Sequence, residues 1–425
     1  MKLHCDIILP ASKSESNRAL MIAAYGGFAL DFQNLSESND THILMEVLRG
    51  LSPIDSNRTT FARKCSAFDG VNDIGGNSHI IDIADCGTAA RFLATFLACH
   101  EGDWLLTGTE RMKRRPMEPL VDTLRVLGAD IQYVEQVGLL PLRIKGKLLL
   151  GGKVAVDMTQ SSQFASSLLL AAPIWPQGLE LELLGKLNSE PYLDMTISMM
   201  RHFGAEVERK GRMVYVTPKP YRPTEFEVSA DWSAASYWYE AAALSDLCTI
   251  RLHGLDLPSL QGDAVIRKWM ELVGVMTNKD GDTLCLTKKP FEKQNLSFDF
   301  SLAPDLFPTM AATCAGLSIE ACFTGITNLI EKESDRIDSM GIELAKIGVV
   351  LERVSSDVVV LKPASVLPCF RKSAPLMIDV HGDHRVAMAM APLSMKVGTL
   401  SFNYPEVVGK SYPNFWKNMS VMLDV

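Results

Sequence analysis

The sequence lacks several features that would assign it to a specialised class of protein. Its nine cysteines form no Cys-x-x-Cys pair, no Gly-x-x-x-x-Gly-Lys-Ser/Thr loop is present, and no uninterrupted apolar run approaches the roughly 18 residues of a membrane-spanning helix. Its 42 Lys and Arg residues are outnumbered by 50 Asp and Glu, which gives a formal net charge of -8. We therefore expect no disulfide framework, no ordinary nucleotide-phosphate site, no membrane span and no nucleic-acid partner.

The chain also lacks a charged-then-apolar signal segment at its N-terminus, so we expect a cytoplasmic protein. Several cysteines fall in apolar runs, which predicts buried, reduced thiols in that compartment. At 425 residues the chain is too long for one hydrophobic core, and its 47% apolar content is ordinary for a globular protein. We expect two domains in a monomer.

A helix of small and apolar residues, opened by polar groups, recurs six times at intervals of 70 to 78 residues. The copies begin near Ser14, Thr88, Ser161, Asp231, Asp305 and Asp383. Each is followed by a stretch with apolar residues at helical spacing, and in several copies by two β-like runs. The pattern predicts an α/β fold in which one βαβαββ unit is repeated six times.

The two helices of each unit differ in composition. The first has few charges on any face, which predicts burial, whereas the second is amphipathic. The first five amphipathic helices run into a glycine as the expected C-terminal stop: Gly50, Gly128, Gly204, Gly274 and Gly348. Six units divide naturally into three plus three, and the proline-containing stretch 217–223 is the predicted boundary.

Polar residues cluster where the buried helices begin, and a helix N-terminus favours anions through its free N–H groups and its dipole. The cluster contains Lys13, Ser14, Arg18, Asp85, Gly87, Thr88, Arg91, Ser161, Ser162, Gln163, Asp305, Asp383, His384 and Arg385. Arg18 and Arg91 come one turn into buried helices, where a cation is costly unless an anion pairs with it. The pattern therefore predicts phosphate or carboxylate sites, although each copy alone would also fit a capped surface helix with solvated cations.

Three linking segments carry further cations. The run 111–116 is a basic cluster that fits either a solvated loop or an anion site, and 331–336 fits either an anion site or a helix start with internal ion pairs. The third segment, 409–413, carries Lys410 and leads into the last helix. His381 and His384 have no supporting His/Cys cluster, so we expect no metal, and Ser161 lacks the Gly-x-Ser-x-Gly elbow of a serine nucleophile.

Taken together, nine motifs in chain order resemble the enolpyruvyl transferase family over nearly the whole chain. They are SKSESNR at 12–18, DCGTAARF at 85–92, RMKRRP at 111–116, SSQF at 161–164, SEPY at 189–192, PD at 304–305, KESDR at 332–336, DHR at 383–385 and GKSYP at 409–413. The resemblance implies two similar globular domains of three βαβαββ units each, residues 12–228 and residues 1–11 with 229–425. It places the active site in the cleft between them.

The resemblance is closest to members that act on shikimate 3-phosphate and phosphoenolpyruvate, and it implies no metal or organic cofactor. The 5-hydroxyl would attack carbon two of phosphoenolpyruvate as carbon three is protonated, and the tetrahedral intermediate would lose phosphate. By position, the residues that would hold phosphoenolpyruvate are Lys13, Arg91, Arg115, Arg336, Arg385 and Lys410, with Asp85, Gly87 and Thr88 beside them. Those that would hold shikimate 3-phosphate are Ser14, Arg18, Ser161, Ser162, Ser189, Tyr192 and Asn328, while Gln163 would touch both.

The same resemblance assigns the proton transfers. Asp305 would be the general base for the hydroxyl, and His384 would support the site where carbon three is protonated. Glu333 would handle that protonation with Lys332 or Lys410, and the choice among these three stays open. As in the family's glyphosate-sensitive members, Gly87 would leave room for glyphosate, which implies inhibition.

One residue departs from the family pattern. Asp85 stands where the family more often has Asn, and a carboxylate there would repel phosphoenolpyruvate unless it is hydrogen-bonded or set back from the ligand. The sequence alone does not decide between these outcomes.

Two other functions compete with this reading. A relative of the same fold acts on UDP-N-acetylglucosamine and carries a cysteine in the loop that here spans 112–115, but this chain has no cysteine between Cys99 and Cys248. A catalytically silent homologue that binds anions or serves in assembly would be expected to have lost Lys13, Asp305 or Glu333, and all three are present.

Overall fold

The computed structural model describes residues 2–51 and 79–420 of an α/β chain. By its internal contacts the chain divides into two compact units. Unit 1 comprises Met1–Lys13, Ser36–Asn39 and Val228–Val425, and unit 2 comprises Ser14–Leu35 and Asp40–Glu227.

The helices and strands are numbered in chain order. The α-helices are α1 (Lys13–Gly26), α2 (Asn39–Leu51), α3 (Gly87–Cys99), α4 (Glu118–Val126), α5 (Gln163–Ala171), α6 (Glu190–His202), α7 (Trp232–Leu244), α8 (Ile266–Glu271), α9 (Phe307–Leu317), α10 (Arg336–Ala345), α11 (His384–Met390), α12 (Ser394–Val397) and α13 (Phe415–Met419). The strands are β1 (Lys2–Ile8), β2 (His79–Asp82), β3 (Gly102–Thr107), β4 (Asp130–Tyr133), β5 (Leu142–Gly146), β6 (Gly152–Asp157), β7 (Leu179–Leu184), β8 (Val207–Lys210), β9 (Met213–Val216), β10 (Leu247–His253), β11 (Val275–Asp280), β12 (Thr283–Lys288), β13 (Leu296–Asp299), β14 (Ala321–Thr324), β15 (Val350–Ser355), β16 (Val358–Lys362), β17 (Leu376–Ile378) and β18 (Leu400–Phe402).

Four sheets share one strand order. Unit 2 has β2-β3-β5-β4 and β6-β7-β9-β8, and unit 1 has β1-β10-β12-β11 and β13-β14-β16-β15. In each, the first two strands are parallel and the remaining pairs are antiparallel. A parallel neighbour requires a crossover, and a buried helix supplies it within three of these sheets. The βαβαββ unit predicted near Thr88, Ser161 and Asp305 is therefore confirmed.

The sheet that belongs to the copy near Asp231 takes its first strand from the start of the chain. β1 pairs in parallel with β10, from Lys2 opposite Leu247 to Ile8 opposite His253. Alternate residues of β1 are buried, as a strand with one covered face requires. For the copies near Ser14 and Asp383, the described residues show helices α1, α2 and α11 and the parallel pair β17–β18.

The predicted contrast between the two helices of each unit is confirmed. Every residue of α7 is buried and nearly all of α3 is, whereas α4 buries one stripe that contains Leu120 and Leu124. Four of the five predicted stop glycines follow their helices with φ between +80° and +94°: Gly128, Gly204, Gly274 and Gly348. The prediction for Gly50 is wrong, because α2 runs through it to Leu51.

The stretch 217–223 is not a boundary between the units. Tyr221 is buried in the hydrophobic core of unit 2, and its hydroxyl donates to the Leu170 carbonyl over 3.0 Å. The chain passes into unit 1 only at Val228. Prolines mark an irregular segment, and here the buried tyrosine ties that segment to unit 2.

Each unit has its own hydrophobic core. Among the described cysteines, all eight are free thiols and half are buried, as the apolar runs predicted, while Cys65 lies outside the described residues. None of the helices that the structure describes combines the length and apolar character that a membrane crossing needs.

Candidate active site

In unit 2 a ladder of side-chain hydrogen bonds joins the helices whose first turns carry the predicted binding residues. Thr95 of α3 meets Ser167 of α5 at 2.5 Å, and Thr196 of α6 donates to Ser166 of α5 at 2.9 Å. Arg18 of α1 completes the ladder through Thr196. Small hydroxyl side chains let the helices approach closely while satisfying each other's polar groups, so the helix starts are held in fixed relation.

Arg18 is 2% exposed and donates to neutral oxygens only within the described residues. Its acceptors are Thr196 Oγ1 at 2.7 Å, the Ser14 carbonyl at 2.9 Å and the Tyr192 carbonyl at 3.1 Å. Burial lowers the pKa of Arg18 to about 10, which still leaves the guanidinium charged at neutral pH. A buried cation held by neutral dipoles is suited to pairing with an anion.

Two further guanidinium groups lie against Gly87 at the start of α3. A Cβ built on Gly87 would lie 2.3 Å from Nη1 of Arg115 and 2.5 Å from Nη1 of Arg91, so only glycine leaves them this space. Arg91 is 2% exposed and donates to the Gly87 carbonyl at 2.9 Å and the Pro116 carbonyl at 3.2 Å. The buried Nε of Arg115 has no hydrogen-bond partner within the described part of the chain. Two like charges converging on one backbone position are suited to binding an anion.

Asp85 is neutralised by a neighbouring arginine. Nε and Nη2 of Arg111 lie 3.3 Å and 2.8 Å from its two carboxylate oxygens, and Thr109 Oγ1 donates to Oδ1 as well. We expected Asp85 to repel phosphoenolpyruvate unless its carboxylate was hydrogen-bonded or set back from the ligand. The structure fulfils the first condition, because the carboxylate is hydrogen-bonded. Sequence reasoning left Arg111 without a role, although it stood in the motif RMKRRP.

The remaining predicted residues of unit 2 lie at the starts of α5 and α6. Gln163 Nε2 donates to Thr88 Oγ1 at 3.0 Å, and the Gln163 N–H donates to Ser161 Oγ at 3.2 Å. Ser162 precedes α5 and is 4% exposed. Ser189 has a left-handed backbone with φ of +59° and precedes α6, in whose first turn Tyr192 lies. The structure thus brings Thr88 and Gln163 together, and Tyr192 together with Arg18.

In unit 1 one buried arginine holds three carboxylates. Arg336, the first residue of α10, is 1% exposed. It donates from Nε to Asp383, from Nη1 to Asp305 and from Nη2 to Glu333, each at 2.8 Å. Burial lowers the pKa of Arg336, but these three carboxylates outweigh it and raise the pKa above its ordinary value. The segment 331–336 is therefore both a helix start with ion pairs and a charged cluster.

Asp305 is held by a second arginine. Arg385, in the first turn of α11, donates from Nη2 to its other oxygen at 2.8 Å. Burial raises the pKa of Asp305, but the charges of Arg385, Lys332 and Arg336 outweigh it and lower the pKa well below its usual range. Asp305 is thus ionised at neutral pH, as a general base must be.

Lys410 and Lys13 complete the cluster of cations in unit 1. Lys410 Nζ lies 3.6 Å from Glu333 Oε1, with both side chains largely buried. The backbone N–H of Lys13 donates to Asp231, the N-cap of α7. Burial raises the pKa of Asp231, while Arg385 and Lys13 partly oppose that shift.

His384 is 1% exposed and lies among these cations. Burial first, and then the charges of Lys13, Arg385 and Lys410, hold the pKa of His384 well below its usual value, so the ring is neutral at physiological pH. Within the described residues, no three or more His, Cys, Asp or Glu side chains are grouped to hold a metal ion. Asn328 lies in the turn Thr327–Leu329 and is 6% exposed.

Sequence reasoning missed one acid of this cluster. Asp263 is 2% exposed and bonds to the Ser233 hydroxyl at the start of α7, while its Oδ1 has no partner within the described residues. Burial and the charge of Asp305 raise the pKa of Asp263 to about 7, against the opposing effect of Arg385. No motif marks Asp263, because its significance depends on what surrounds it in the folded chain.

Comparison with known proteins identifies the family. The family model for EPSP synthase, described as 3-phosphoshikimate 1-carboxyvinyltransferase, matches residues 1–419. The 3-phosphoshikimate 1-carboxyvinyltransferase of Bacteroides fragilis is 37% identical over 419 residues, which cover 98% of this chain and 95% of that protein. The protein of the same name from a Sulfurovum species is 33% identical over 420 residues, with 97% and 95% covered.

A solved structure supports the fold. EPSP synthase from Acinetobacter baumannii superimposes with a TM-score of 0.70 at 23% identity, covering 98% of this chain and 95% of that one. The match of the family model to nearly the whole sequence, with relatives at 33 to 37% identity over the same length, shows that this chain belongs to the EPSP synthase family, the 3-phosphoshikimate 1-carboxyvinyltransferases.

Proposed function

We propose that this chain transfers the enolpyruvyl group of phosphoenolpyruvate to the 5-hydroxyl of shikimate 3-phosphate and releases phosphate. Family membership supports the reaction. The single structural observation that carries the assignment of roles is the network in which Arg336 holds Asp305, Glu333 and Asp383. It gathers an ionised base, a second carboxylate and several cations within one buried cluster.

The anionic groups of phosphoenolpyruvate are assigned to the arginines and lysines. In unit 2 these are Arg91 and Arg115, which converge on Gly87, with Thr88 in the same helix turn. In unit 1 they are Lys13, Arg336, Arg385 and Lys410. Charge-assisted hydrogen bonds from such groups are about twice as strong as neutral ones, and most strongly so where water is excluded.

Shikimate 3-phosphate is assigned to the hydroxyl-rich helix starts of unit 2. Arg18 offers the charge, since its partners in the described residues are neutral oxygens. The polar side chains assigned with it are Ser14, Ser161, Ser162, Gln163, Ser189 and Tyr192, with Asn328 from unit 1. Hydroxyl and amide groups match both the phosphate oxygens and the ring hydroxyls of this substrate.

Asp305 is the proposed base. As the 5-hydroxyl oxygen bonds to carbon two, Asp305 takes the hydroxyl proton, and a proton from Glu333, Lys332 or Lys410 goes to carbon three. The resulting tetrahedral intermediate then loses phosphate and a proton from the new methyl group, which restores the double bond. Arg336 and Arg385 hold Asp305 at a low pKa before substrate arrives. Anionic substrate groups that bind these arginines weaken that hold and make Asp305 more basic.

His384 is assigned a supporting role beside the protonation site. Its ring is neutral and neither ring nitrogen has a hydrogen-bond partner within the described residues, so it can offer substrate a hydrogen bond rather than a further positive charge. Its neighbour Asp383 caps α11 by accepting the Arg385 N–H at 2.9 Å and also accepts from Arg336, so it fixes the position of both arginines.

We further propose that the chain acts as a cytoplasmic monomer without a nucleic-acid partner. The free thiols of the described cysteines support a reducing compartment, and the formal net charge of -8 disfavours binding to a polyanion. Light scattering of the purified chain tests the monomer, since particles of twice the chain mass would contradict it.

The reaction is tested by phosphate release with each substrate omitted in turn. We expect release only when phosphoenolpyruvate and shikimate 3-phosphate are both present, and mass spectrometry of the product should find the enolpyruvyl ether. Release with UDP-N-acetylglucosamine in place of shikimate 3-phosphate would reassign the substrate. Substrate binding without any release would favour the catalytically silent alternative.

A further inference from the structure

Asp85 and Arg111 connect two loops of unit 2 that carry the arginine pair at Gly87. Asp85 lies two positions before Gly87, at the entry to α3, and Arg111 lies four positions before Arg115, after β3. Their ion pair is bidentate: Nη2 of Arg111 lies 2.8 Å from Oδ2 of Asp85, and Nε of Arg111 lies 3.3 Å from Oδ1. The side chain of Arg111 is 34% exposed and that of Asp85 is 37% exposed, so the pair is half-buried.

Hydrogen bonds through Thr109 form a second connection between Asp85 and the turn that precedes Arg115. The Thr109 hydroxyl donates to Asp85 and accepts from the Met112 N–H at 3.3 Å. Met112 begins the single turn Met112–Arg114, and the Arg115 N–H donates back to the Met112 carbonyl at 3.1 Å. The carboxylate of Asp85 is thus connected, through one hydroxyl, to the turn that ends at Arg115.

The guanidinium of Arg115 lies close against Gly87. Its Nη1 reaches to 2.3 Å from where a Cβ on Gly87 would lie, and its carbon Cζ to 2.8 Å. Any outward movement of the turn therefore changes the distance between Arg115 and Arg91, the two cations assigned to phosphoenolpyruvate. The same turn is also held by Lys113, which pairs with Glu135 at 3.0 Å, and by the Pro116 carbonyl, which accepts from Arg91 at 3.2 Å, so loss of the Asp85–Arg111 pair would loosen the turn without releasing it.

We propose that the Asp85–Arg111 ion pair is a latch that positions Arg115 for phosphoenolpyruvate. This proposal rests on the proposed function, because it takes Arg115 as a binding residue. Asp85 and Arg111 are positioning residues that act through the turn Met112–Arg114. An asparagine at position 85 would offer one acceptor oxygen instead of two and could not supply the charge that makes the bidentate contact strong.

The structure offers a matched control in the same unit. Asp103 of β3 and Arg143 of β5 form a bidentate pair of the same geometry, at 2.7 Å and 3.0 Å, with exposures of 28% and 34%. This pair joins two neighbouring strands and is not connected to the turn at Met112. Its loss measures what removal of any half-exposed ion pair does to this enzyme.

The experiment compares Asp85→Asn, Arg111→Met and Thr109→Val with Arg143→Met. We expect the first two to raise the KM for phosphoenolpyruvate about two- to fivefold, the size of a partly exposed ion pair, with kcat and the KM for shikimate 3-phosphate nearly unchanged. Thr109→Val should give a smaller rise. The charge swap Asp85→Arg with Arg111→Asp should recover part of the loss, and Arg143→Met should change neither KM.

Amide hydrogen exchange supplies a readout that does not require activity. Exchange at Met112 and Arg115 should be faster in Asp85→Asn than in the wild type and unchanged in Arg143→Met. If wild-type enzyme shows no enolpyruvyl transfer, the proposed function fails, while the exchange rates still test the latch. Unchanged exchange, or an equal rise of both KM values in Asp85→Asn and Arg143→Met, would overturn the latch.

Discussion

Nη1 of Arg336 lies 2.8 Å from Oδ1 of Asp305, although one residue opens α10 and the other precedes α9. Arg385 takes the second oxygen of the same carboxylate at 2.8 Å. The proposed base is thus clamped between two arginines that are themselves assigned to substrate. Removing the carboxylate should therefore affect the chemical step far more than binding.

The first prediction concerns Asp305→Asn, which keeps the shape of the side chain and removes its charge. We expect kcat to fall by about 10²- to 10⁴-fold, the usual contribution of a general base, while the affinity for both substrates stays within a few-fold. Asp338→Asn is the control, since Asp338 is exposed and pairs with Arg353 at 2.8 Å outside this cluster. Turnover of Asp305→Asn within a few-fold of wild type would remove Asp305 from the role of base.

The second prediction concerns Arg18→Met, which keeps most of the buried volume and removes the cation. Loss of charge-assisted hydrogen bonds to the phosphate should weaken shikimate 3-phosphate roughly ten- to hundredfold in calorimetry, with little change for phosphoenolpyruvate. Thr196→Val keeps the guanidinium and removes only one of its acceptors, so it should lose less. Unchanged affinity in Arg18→Met would mean that Arg18 serves only the packing of α1 and α6.

The third prediction concerns Gly87→Ala. The added methyl group would lie 2.3 Å from Nη1 of Arg115 and 2.5 Å from Nη1 of Arg91, so both guanidinium groups must move. We expect a higher KM for phosphoenolpyruvate and weaker inhibition by glyphosate. Gly341→Ala is the control, because its Cβ would meet only Leu351 at an ordinary 3.8 Å. If Gly87→Ala keeps both constants, the space at Gly87 does not form part of the anion site.

The fourth prediction concerns the stability of unit 1. Glu240 of α7 is fully buried, and neither of its carboxylate oxygens has a partner within the described residues. Burial raises the pKa of Glu240 well above its ordinary value of 4.5, so the folded chain holds a proton that the unfolded chain releases. The contribution of Glu240 to the free energy of unfolding is at its full value below pH 4.5. It is lost as the pH rises from there toward the folded-state pKa, by at most about 1.4 kcal/mol per pH unit.

Urea unfolding of wild type and Glu240→Gln at pH 5.5 and pH 8.5 measures this effect. Glutamine cannot ionise, so its stability relative to wild type should rise at the higher pH. Glu292→Gln, at an exposed position, should show no such change. A Glu240→Gln difference that is the same at both pH values would show that Glu240 is not held as a neutral acid.

The repeated unit could be predicted because its signals are local. A helix with almost no charge on any face, such as α7, predicts burial wherever it packs, and glycine after a helix supports a left-handed stop. Gly50 shows the limit of that rule, since a glycine inside an amphipathic helix is tolerated at modest cost when the flanking turns pack. The stretch 217–223 shows another limit, because a buried tyrosine can hold a proline-containing segment inside a domain.

The sequence by itself determined the α/β repeat, the helix starts that carry the polar residues, and the types of residue placed there. Only the tertiary structure decided which charges neutralise each other. Arg111 pairs with Asp85, Arg336 pairs with three carboxylates, and Arg18 donates to neutral oxygens. The reason is that helix capping and burial follow from neighbours along the chain, whereas an ion pair forms only where the folded backbone brings two side chains within a few ångströms.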